Sequence, residues 1–178
     1  MKGTVLYEVR DGVALLTVDN PPVNPLSDGV RAGLYEGIAK AEADSSVVGV
    51  VLTGNGRAFI AGADISEFGG SGEGHGLHEV FKKLEYCSKP VVAAINGLAL
   101  GGGLETALCC NYRIASNQAF VGLPEVNLGL LPGAGGTQRL PRLVGPSEAL
   151  KIMLSGSHVT AKKALSLGIV DSLSDNVV

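Results

Sequence analysis

The sequence predicts an α/β fold in a single domain, and three observations lead to this prediction. Short apolar segments rich in β-branched residues alternate with segments whose apolar residues recur at helical spacing. A glycine-rich turn lies between strand and helix in three places, as in folds whose strands are connected by helices. Apolar residues make up 46% and charged residues 17% of the 178 residues, which suits one packed core and excludes intrinsic disorder.

The first elements are a hairpin and a helix. Residues 4–9 and 13–18 are apolar and β-branched, and the Asp-Gly pair between them is a strong hairpin signal. Three prolines make residues 20–25 an extended loop, because proline fixes the backbone and removes a donor. Ser27 is expected to cap the helix that follows. The apolar residues at helical spacing in this helix are Val30, Leu34, Ile38 and Ala41.

The later elements continue the alternation of strands and helices. Strands are expected at 47–52, 91–95, 112–116 and 119–121. Helices are expected from 61–64, over 77–86, from the glycines at 101–103 to about Cys110, and over 135–144, 147–154 and 160–166. Residues 122–133 are expected to form a loop, and the glycine-rich stretch 69–76 a mobile surface loop.

The stretch from Pro90 to Tyr112 is long enough to span a bilayer, and Glu105 carries its only formal charge. It nevertheless holds asparagines and several glycines, and it divides into a β-rich piece, a glycine turn and a helical piece. We therefore interpret this stretch as buried core.

Charge and composition exclude several classes of function. The 17 acidic and 14 basic residues give a net charge of −3, and with no long basic run and no tryptophan a nucleic-acid groove is not expected. Cys87, Cys109 and Cys110 show neither disulfide nor zinc-ligand spacing, which indicates reduced thiols in a cytoplasmic protein without a metal. The first five residues lack the apolar region of a signal peptide.

Two glutamates are the main candidates for chemistry. Glu105 lies alone in an apolar stretch at the start of a helix, where burial raises a carboxyl pKa and helix N–H groups favour ionisation. Its alternative role is structural, through orphan amides or a pair with Arg113. Glu125 alone would be interpreted as a solvated loop acid. Close together, the two carboxyls could divide acid and base roles, although the sequence does not show that they meet.

Two turns of small residues, at 61–63 and 101–103, place backbone N–H groups ahead of a helix, as an oxyanion hole requires. Tight turn packing is the alternative for either run alone. The glycines at 133–136 lack the lysine of a phosphate loop, so nucleotide binding is disfavoured. The histidines show no partner spacing, and Arg139 and Arg142 are expected to be solvated or to pair with surface acids.

Three blocks of sequence resemble the enoyl-CoA hydratase/isomerase (crotonase) superfamily. They are Phe-Ile-Ala-Gly-Ala-Asp-Ile at 59–65, the run from Lys-Pro-Val-Val to Gly-Gly-Gly-Leu-Glu at 89–105, and the run from Gly-Leu-Pro-Glu-Val to Gly-Thr-Gln-Arg-Leu-Pro at 122–141. The similarity runs in order from about residue 4 to residue 173. It looks most like the N-terminal hydratase part of bifunctional enoyl-CoA hydratase/3-hydroxyacyl-CoA dehydrogenases.

The resemblance implies a spiral of ββα units with a helical C-terminal part, and a homo-oligomer, usually a trimer. Ala63 and Gly102 match the oxyanion-hole positions, and Glu105 and Glu125 match the catalytic glutamates, with Glu105 acting mainly on the water and Glu125 on C2. The implied substrate-binding residues are Ala61, Asp64, Ile65, Pro124 and Gly133, the last helping to hold the water. No metal is implied, and no cofactor beyond the coenzyme A moiety of the substrate.

The implied function is hydration of trans-2-enoyl-CoA to 3-hydroxyacyl-CoA in fatty-acid β-oxidation. The alternatives are 3,2-enoyl-CoA isomerisation and a low-turnover acyl-CoA-binding or assembly module of a larger multifunctional enzyme. Residues 1–178 are expected to form one domain, as a fragment without the family's C-terminal helices or following domains. The expected location is the cytoplasm, or the peroxisomal matrix in a eukaryote.

Overall fold

The computed structural model describes residues 3–67 and 74–177, in which strands and helices alternate. The strands are β1 (Thr4–Arg10), β2 (Val13–Asp19), β3 (Gly49–Gly54), β4 (Ala58–Ile60), β5 (Val91–Ile95), β6 (Leu98–Leu100), β7 (Tyr112–Ser116), β8 (Phe120–Gly122), β9 (Val159–Thr160) and β10 (Ser172–Ser174). The α-helices are α1 (Asp28–Ala43), α2 (Leu77–Glu85), α3 (Gly102–Leu108), α4 (Gly136–Val144), α5 (Pro146–Ser155) and α6 (Ala161–Leu167). Short 3-10 turns span Ile65–Glu67 and Glu125–Leu128.

Two sheets organise these elements. One has six strands in the order β1-β2-β3-β5-β7-β10, and the other has four in the order β4-β6-β8-β9. The β1–β2 hairpin is antiparallel, and β2, β3, β5, β7 and β10 run parallel. Three successive units, β3-β4-α2, β5-β6-α3 and β7-β8-α4, each add one strand to each sheet. This arrangement confirms the α/β class and the ββα units.

Helix α1 packs its predicted apolar face on the first strands. The four residues at helical spacing are fully buried, and a Cβ on Gly37 would lie 2.7 Å from Leu16 Cδ2, so the helix and β2 are in close contact. The N-cap position predicted for Ser27 is confirmed, but its side chain does not cap the helix. The Ser27 Oγ accepts a hydrogen bond from Asn20 Nδ2 at 3.0 Å.

The long apolar stretch forms β5, β6 and α3, as the buried-core interpretation expects. All seven residues of α3 are buried, and four of the five residues of β5 are. A parallel strand covered on both faces is apolar along its whole length, which explains the unbroken run. In the described part of the chain, every helix is too short or too polar to cross a membrane.

Most of the small sheet was not predicted from the sequence, and only β8 agrees with an expected strand, the one at 119–121. Strands β4 and β6 have three residues each and β9 has two, and such short runs show no periodicity. The expected loop at 122–133 contains the 3-10 turn 125–128, and the helix expected from 61–64 is the 3-10 turn 65–67. Most of the glycine-rich stretch expected as a mobile loop, residues 69–73, lies outside the described residues.

The three cysteines are free thiols, and two of them lie in the core. Cys109 and Cys110 are each 5% exposed, and burial raises the pKa of Cys109 to about 12 and that of Cys110 further. We expect Ellman's reagent to label at most Cys87 in the native protein and all three thiols after unfolding, because the thiolate is the reactive form. Rapid native labelling of more than one thiol would contradict this burial.

Candidate active site

A cavity of about 680 Å³ lies at one edge of the small sheet. Its walls are the segments that follow β4, β6 and β8, three neighbouring parallel strands. The carboxyl ends of parallel strands meet at the same edge of a sheet, where α/β folds bind ligands. The cavity is lined mainly by apolar and small residues and has the size typical of small-molecule sites.

The cavity brings together the site residues expected from the sequence, with Ile65 as the exception. The predicted residues that line it are Ala61, Ala63, Asp64, Gly102, Glu105, Pro124, Glu125 and Gly133. Ile65 begins the 3-10 turn 65–67 directly after this wall, and its side chain is outside the described part of the structure.

Glu105 is a buried carboxyl held by backbone donors. It lies in the first turn of α3 and is 3% exposed, and its Oε1 accepts a hydrogen bond from the Gly136 N–H at 2.7 Å. Burial raises the pKa of Glu105, whereas the N–H groups of Gly136 and Ala134 oppose that rise. The N–H donors at the start of α4 therefore favour the ionised form in an apolar setting.

The alternative structural partner of Glu105 is engaged elsewhere. Arg113 pairs with Asp171, with Nη2 and Oδ2 3.0 Å apart, and its Nε donates to the Ile169 carbonyl at 3.0 Å. The expectation that Arg113 could pair with Glu105 is wrong, because this arginine on β7 is bonded to the segment directly before β10.

Glu125 differs from Glu105 in its hydrogen bonding, although burial raises the pKa of both. It begins the 3-10 turn 125–128 and is half-buried, and its Oε2 is buried without a hydrogen-bond partner among the described residues. Burial, and then the charge of Glu105, raises the pKa of Glu125 to about 7. The interpretation as a solvated loop acid is therefore wrong.

Glycine at position 101 lets the chain pass close to Glu125. Gly101 has a φ of +52°, and a Cβ there would lie 3.2 Å from Glu125 Oε1. A side chain would be strained in this conformation and would crowd the carboxyl. This glycine therefore keeps open the part of the cavity between α3 and Glu125.

The two turns of small residues meet at the cavity wall. A Cβ on Gly102 would lie 3.5 Å from the Ala63 backbone nitrogen. Gly102 is the first residue of α3, so its N–H has no partner within the helix. The Leu26 N–H donates to the Gly62 carbonyl at 2.9 Å, and Leu26 forms a bridge with Ala63 that fixes the path of this turn. The start of α3 therefore lies against the Ala63 backbone nitrogen, and both residues line the cavity.

Sequence reasoning missed the contribution of α2 and the detail of the loop before α4. His78 and Leu77 line the cavity, and the histidine's charged form favours ionisation of Glu105. Arg139 pairs with the exposed Glu85, which confirms the expected pairing with a surface acid, and its further bond to the Ala134 carbonyl was not expected. The glycine run at 133–136 was the one sequence feature that pointed to this loop. Glu85, the partner of Arg139 on α2, lies more than fifty residues away in sequence, so no local pattern indicated the contact.

No cluster of three or more His, Cys, Asp or Glu side chains with the arrangement of a metal site is found within residues 3–67 and 74–177. Among the described residues, the polar groups that line the cavity include the two carboxyls, Asp64, His78 and backbone N–H groups.

Comparisons with known proteins agree in one family. A family model described as enoyl-CoA hydratase/isomerase matches residues 8–177. The chain is 51% identical over 170 residues to a peroxisomal bifunctional enzyme of Danio rerio, covering 95% of this chain and 24% of that protein. It is 46% identical over 165 residues to a probable enoyl-CoA hydratase of Bacillus subtilis, covering 89% of this chain and 64% of that protein.

Solved structures share the fold. The structure of an enoyl-CoA hydratase from Bacillus anthracis superposes with a TM-score of 0.88 at 33% identity, covering 96% of this chain and 70% of that chain. This similarity confirms the crotonase-like α/β spiral. The chain spans about a quarter of the Danio rerio protein and less than two thirds of the Bacillus subtilis protein.

Proposed function

The chain belongs to the enoyl-CoA hydratase/isomerase family, and from that membership we propose that it hydrates trans-2-enoyl-CoA thioesters to 3-hydroxyacyl-CoA in fatty-acid β-oxidation. One observation carries this proposal. Two carboxyls with different hydrogen-bonding environments line a single cavity together with Ala63 and Gly102, which contact each other. Hydration of an activated double bond requires a base for water, an acid for carbon and donors for the carbonyl oxygen.

The N–H groups of Ala63 and Gly102 would act on the thioester carbonyl. Negative charge develops on that oxygen when water adds to C3, and fixed donors stabilise it without reorganisation. Donors of this kind, in an apolar cavity, typically contribute the largest electrostatic stabilisation of the transition state.

The environments of the glutamates support the division of roles expected from the resemblance. Glu105, whose ionised form the Gly136 N–H favours against the effect of burial, takes a proton from water while the water oxygen bonds to C3. The π electrons of the C2–C3 bond shift towards the carbonyl and then to C2, which takes the proton of Glu125. A carboxyl with a pKa near 7 and an unpartnered oxygen suits that donor role.

The remaining wall would bind the rest of the thioester. We assign the path of the coenzyme A portion to Ala61, Asp64, Ile65 and Pro124, and support of the water to Gly133. The apolar acyl chain would pack on Leu77 and the leucines at 128, 130 and 131, which line the same cavity. The proposed chemistry uses these groups and the coenzyme A moiety of the substrate, without a metal or further cofactor.

The proposed setting follows the relatives. The Danio rerio relative is named a peroxisomal bifunctional enzyme, and a 46% identical relative of Cucumis sativus is named a glyoxysomal fatty acid beta-oxidation multifunctional protein. This chain matches about a quarter of each of these proteins. We therefore propose that these residues act as the hydratase part of a larger multifunctional chain or as a homo-oligomer, usually a trimer in this family. The proposed location is the cytoplasm, or the peroxisomal matrix in a eukaryote.

The direct test is the loss of conjugated-thioester absorbance when the protein is mixed with crotonyl-CoA. We expect loss with the parent protein and none above background with the variant that carries both Glu105→Gln and Glu125→Gln. Retained thioester binding without turnover by the parent would favour the binding-module alternative. Absence of both would contradict the proposed function.

The pH dependence of hydration is a second expected result. Glu125 must carry its proton in order to donate it, and its pKa is about 7, so kcat/KM should fall as the pH rises above about 7. Glu125→Gln should remove this alkaline limb from whatever activity remains. A parent profile that is flat from about pH 6 to about pH 9 would contradict the donor role. The apparent value belongs to the glutamate pair, because their charges interact.

Isomerisation of 3-enoyl-CoA to 2-enoyl-CoA is the second candidate, and the free oxygen of Glu125 favours it. A single carboxyl can remove a proton from C2 and return it to C4 while the same N–H pair holds the enolate. Retained isomerase activity in Glu105→Gln, with hydratase activity lost, would show that Glu125 performs this reaction alone.

A further inference from the structure

We propose that Arg139, oriented by Glu85, is a positioning residue for Glu105: it holds the 134–136 loop so that the loop's N–H groups point at the Glu105 carboxylate. This inference rests on the proposed function, since it assigns Glu105 the role of the base. It concerns α2 and α4, which carry the two positioning side chains outside the catalytic pair.

The guanidinium of Arg139 links three segments of chain. Its Nη2 lies 2.7 Å from Glu85 Oε2 and its Nε lies 3.3 Å from Glu85 Oε1, an arrangement in which both carboxylate oxygens are engaged. Its Nη1 donates to the Ala134 carbonyl at 3.2 Å. Two parallel bonds to a carboxylate fix the plane of a guanidinium, so its remaining donor points in a set direction.

The loop is shaped to receive this guanidinium. Gly135 has a φ of +115°, and a Cβ there would lie 1.9 Å from Arg139 Nη1. Only a residue without a side chain allows the arginine to lie against the loop backbone at this point. The Arg139 N–H also donates to the Gly135 carbonyl at 2.9 Å, so side chain and backbone of the same residue hold the loop.

The loop held in this way is the one that contacts Glu105. The Gly136 N–H lies 2.7 Å from Glu105 Oε1, and Gly136 follows directly on the Ala134–Gly135 peptide whose carbonyl accepts from Arg139. Fixing the orientation of one peptide restricts the next, because only two dihedral angles separate them. A free loop would point its N–H groups in several directions, and the base would lose its fixed donor.

Charge acts in the same direction as geometry. The titratable groups that face Glu105 are Arg139 from α4, His78 from α2, Glu125 from the 3-10 turn and Cys109 at the C-cap of α3, whose thiol stays protonated because burial raises its pKa. The cationic Arg139 favours the ionised form of Glu105, as does charged His78. Removing the arginine should therefore raise the pKa of the base as well as loosen its support.

The kinetic test compares Arg139→Gln with Arg142→Gln. The control changes the same residue type on the same helix, where Arg142 is exposed and donates to the Gln138 carbonyl of its own helix. We expect Arg139→Gln to lower kcat for crotonyl-CoA about ten- to a hundred-fold with KM within about two-fold, because misplacing a catalytic group affects turnover more than binding. The acid limb of its kcat profile should move up by about half a pH unit or more. The control should match the parent.

Two further variants separate charge from orientation. Arg139→Lys keeps the positive charge but cannot form both hydrogen bonds to the Glu85 carboxylate. Compared with Arg139→Gln, the acid limb of its pH profile should lie closer to that of the parent, while kcat recovers only in part. Glu85→Gln keeps the arginine and removes its anchor, so kcat should fall without an upward shift of the acid limb. If Arg139→Gln fails to fold, these two variants carry the test.

A readout without turnover keeps this inference separate from the proposed function. The amide resonance of Gly136 should titrate with Glu105, because the two are hydrogen-bonded. In isotope-labelled protein we expect the midpoint to rise in Arg139→Gln and to stay near the parent value in Arg142→Gln. If the parent does not hydrate crotonyl-CoA but the Gly136 midpoint still rises in Arg139→Gln, the proposed function is contradicted and the positioning role of Arg139 is supported.

Two outcomes would overturn the inference. One is an Arg139→Gln variant with the parent's kcat, pH profile and Gly136 titration. The other is a loss of activity in Arg139→Gln with an unchanged Gly136 midpoint and no recovery in Arg139→Lys, which would reduce the arginine to a general stabiliser of the fold.

Discussion

Glu105→Gln is expected to lower kcat about a thousand-fold while thioester binding stays within about two-fold of the parent. Glutamine keeps the shape of the side chain, and its amide oxygen can still accept the hydrogen bond that Gly136 donates. It cannot take a proton from water. The effect should therefore fall on turnover, measured by crotonyl-CoA absorbance, and not on affinity, measured by calorimetry with a saturated acyl-CoA.

The same substitution should not unfold the protein. Burial raises the folded-state pKa of Glu105 above its unfolded value, so ionisation of this carboxyl destabilises the fold as the pH rises past the unfolded pKa. Removing the ionisable group should leave Tm unchanged or higher at pH 8. Glu148→Gln on α5 is the matched control, since Glu148 pairs only with the exposed Lys151 among the described contacts. Parent-like turnover in Glu105→Gln would contradict its role as the base.

Gly103→Ala is expected to lower the free energy of unfolding by about 3 kcal/mol. A Cβ at this position would lie 1.8 Å from the Ile60 carbonyl oxygen and 2.6 Å from the Ile60 carbonyl carbon. Both atoms are backbone at the end of β4, so relief requires α3 to move away from the small sheet. That movement would also displace Gly102 and Glu105, which lie on either side of Gly103 in the same helix.

Gly76→Ala is the control for this prediction. Gly76 is the N-cap of α2 with a φ of −68°, and a Cβ there would meet no atom within 4 Å. The same chemical change should alter the free energy of unfolding by less than about 0.5 kcal/mol. Urea denaturation followed by circular dichroism measures both variants. Equal stability of Gly103→Ala and the parent would mean that α3 and β4 approach less closely than described.

Much of the large sheet was predictable because its elements carry a long periodic signal. The β1–β2 hairpin, α1 and β5 agree with the prediction within about two residues. The strands are apolar, β-branched runs bounded by turn residues, and α1 carries apolar residues at helical spacing. Of the small sheet only β8 was predicted, because the strands of this sheet are two or three residues long and are defined by their neighbours. The cavity lies at the edge of that sheet, so the shape of the cavity could not be predicted from the sequence either.

The two glutamates were predictable to different degrees. Glu105 stood out because one charge in a long apolar stretch is rare and requires a reason. Glu125 follows a proline in a loop and carried no such signal from the residues alone; the resemblance to a family singled it out. Its buried Oε2 and raised pKa depend on the meeting of three segments that are distant in sequence. Contacts between distant segments are set by tertiary packing, which the local sequence pattern does not encode.

In the proposed mechanism the donors to the thioester carbonyl are the N–H groups of Ala63 and Gly102, which belong to the main chain, and this has an evolutionary consequence. A point mutation replaces a side chain but leaves every backbone N–H in place, proline excepted. The proposed donor pair would therefore persist for as long as the course of the chain persists, while the two carboxyls that line the same cavity can be exchanged by single codon changes. A lineage built on this chain path could acquire another thioester reaction by replacing a few cavity side chains, while it inherits the proposed donors intact.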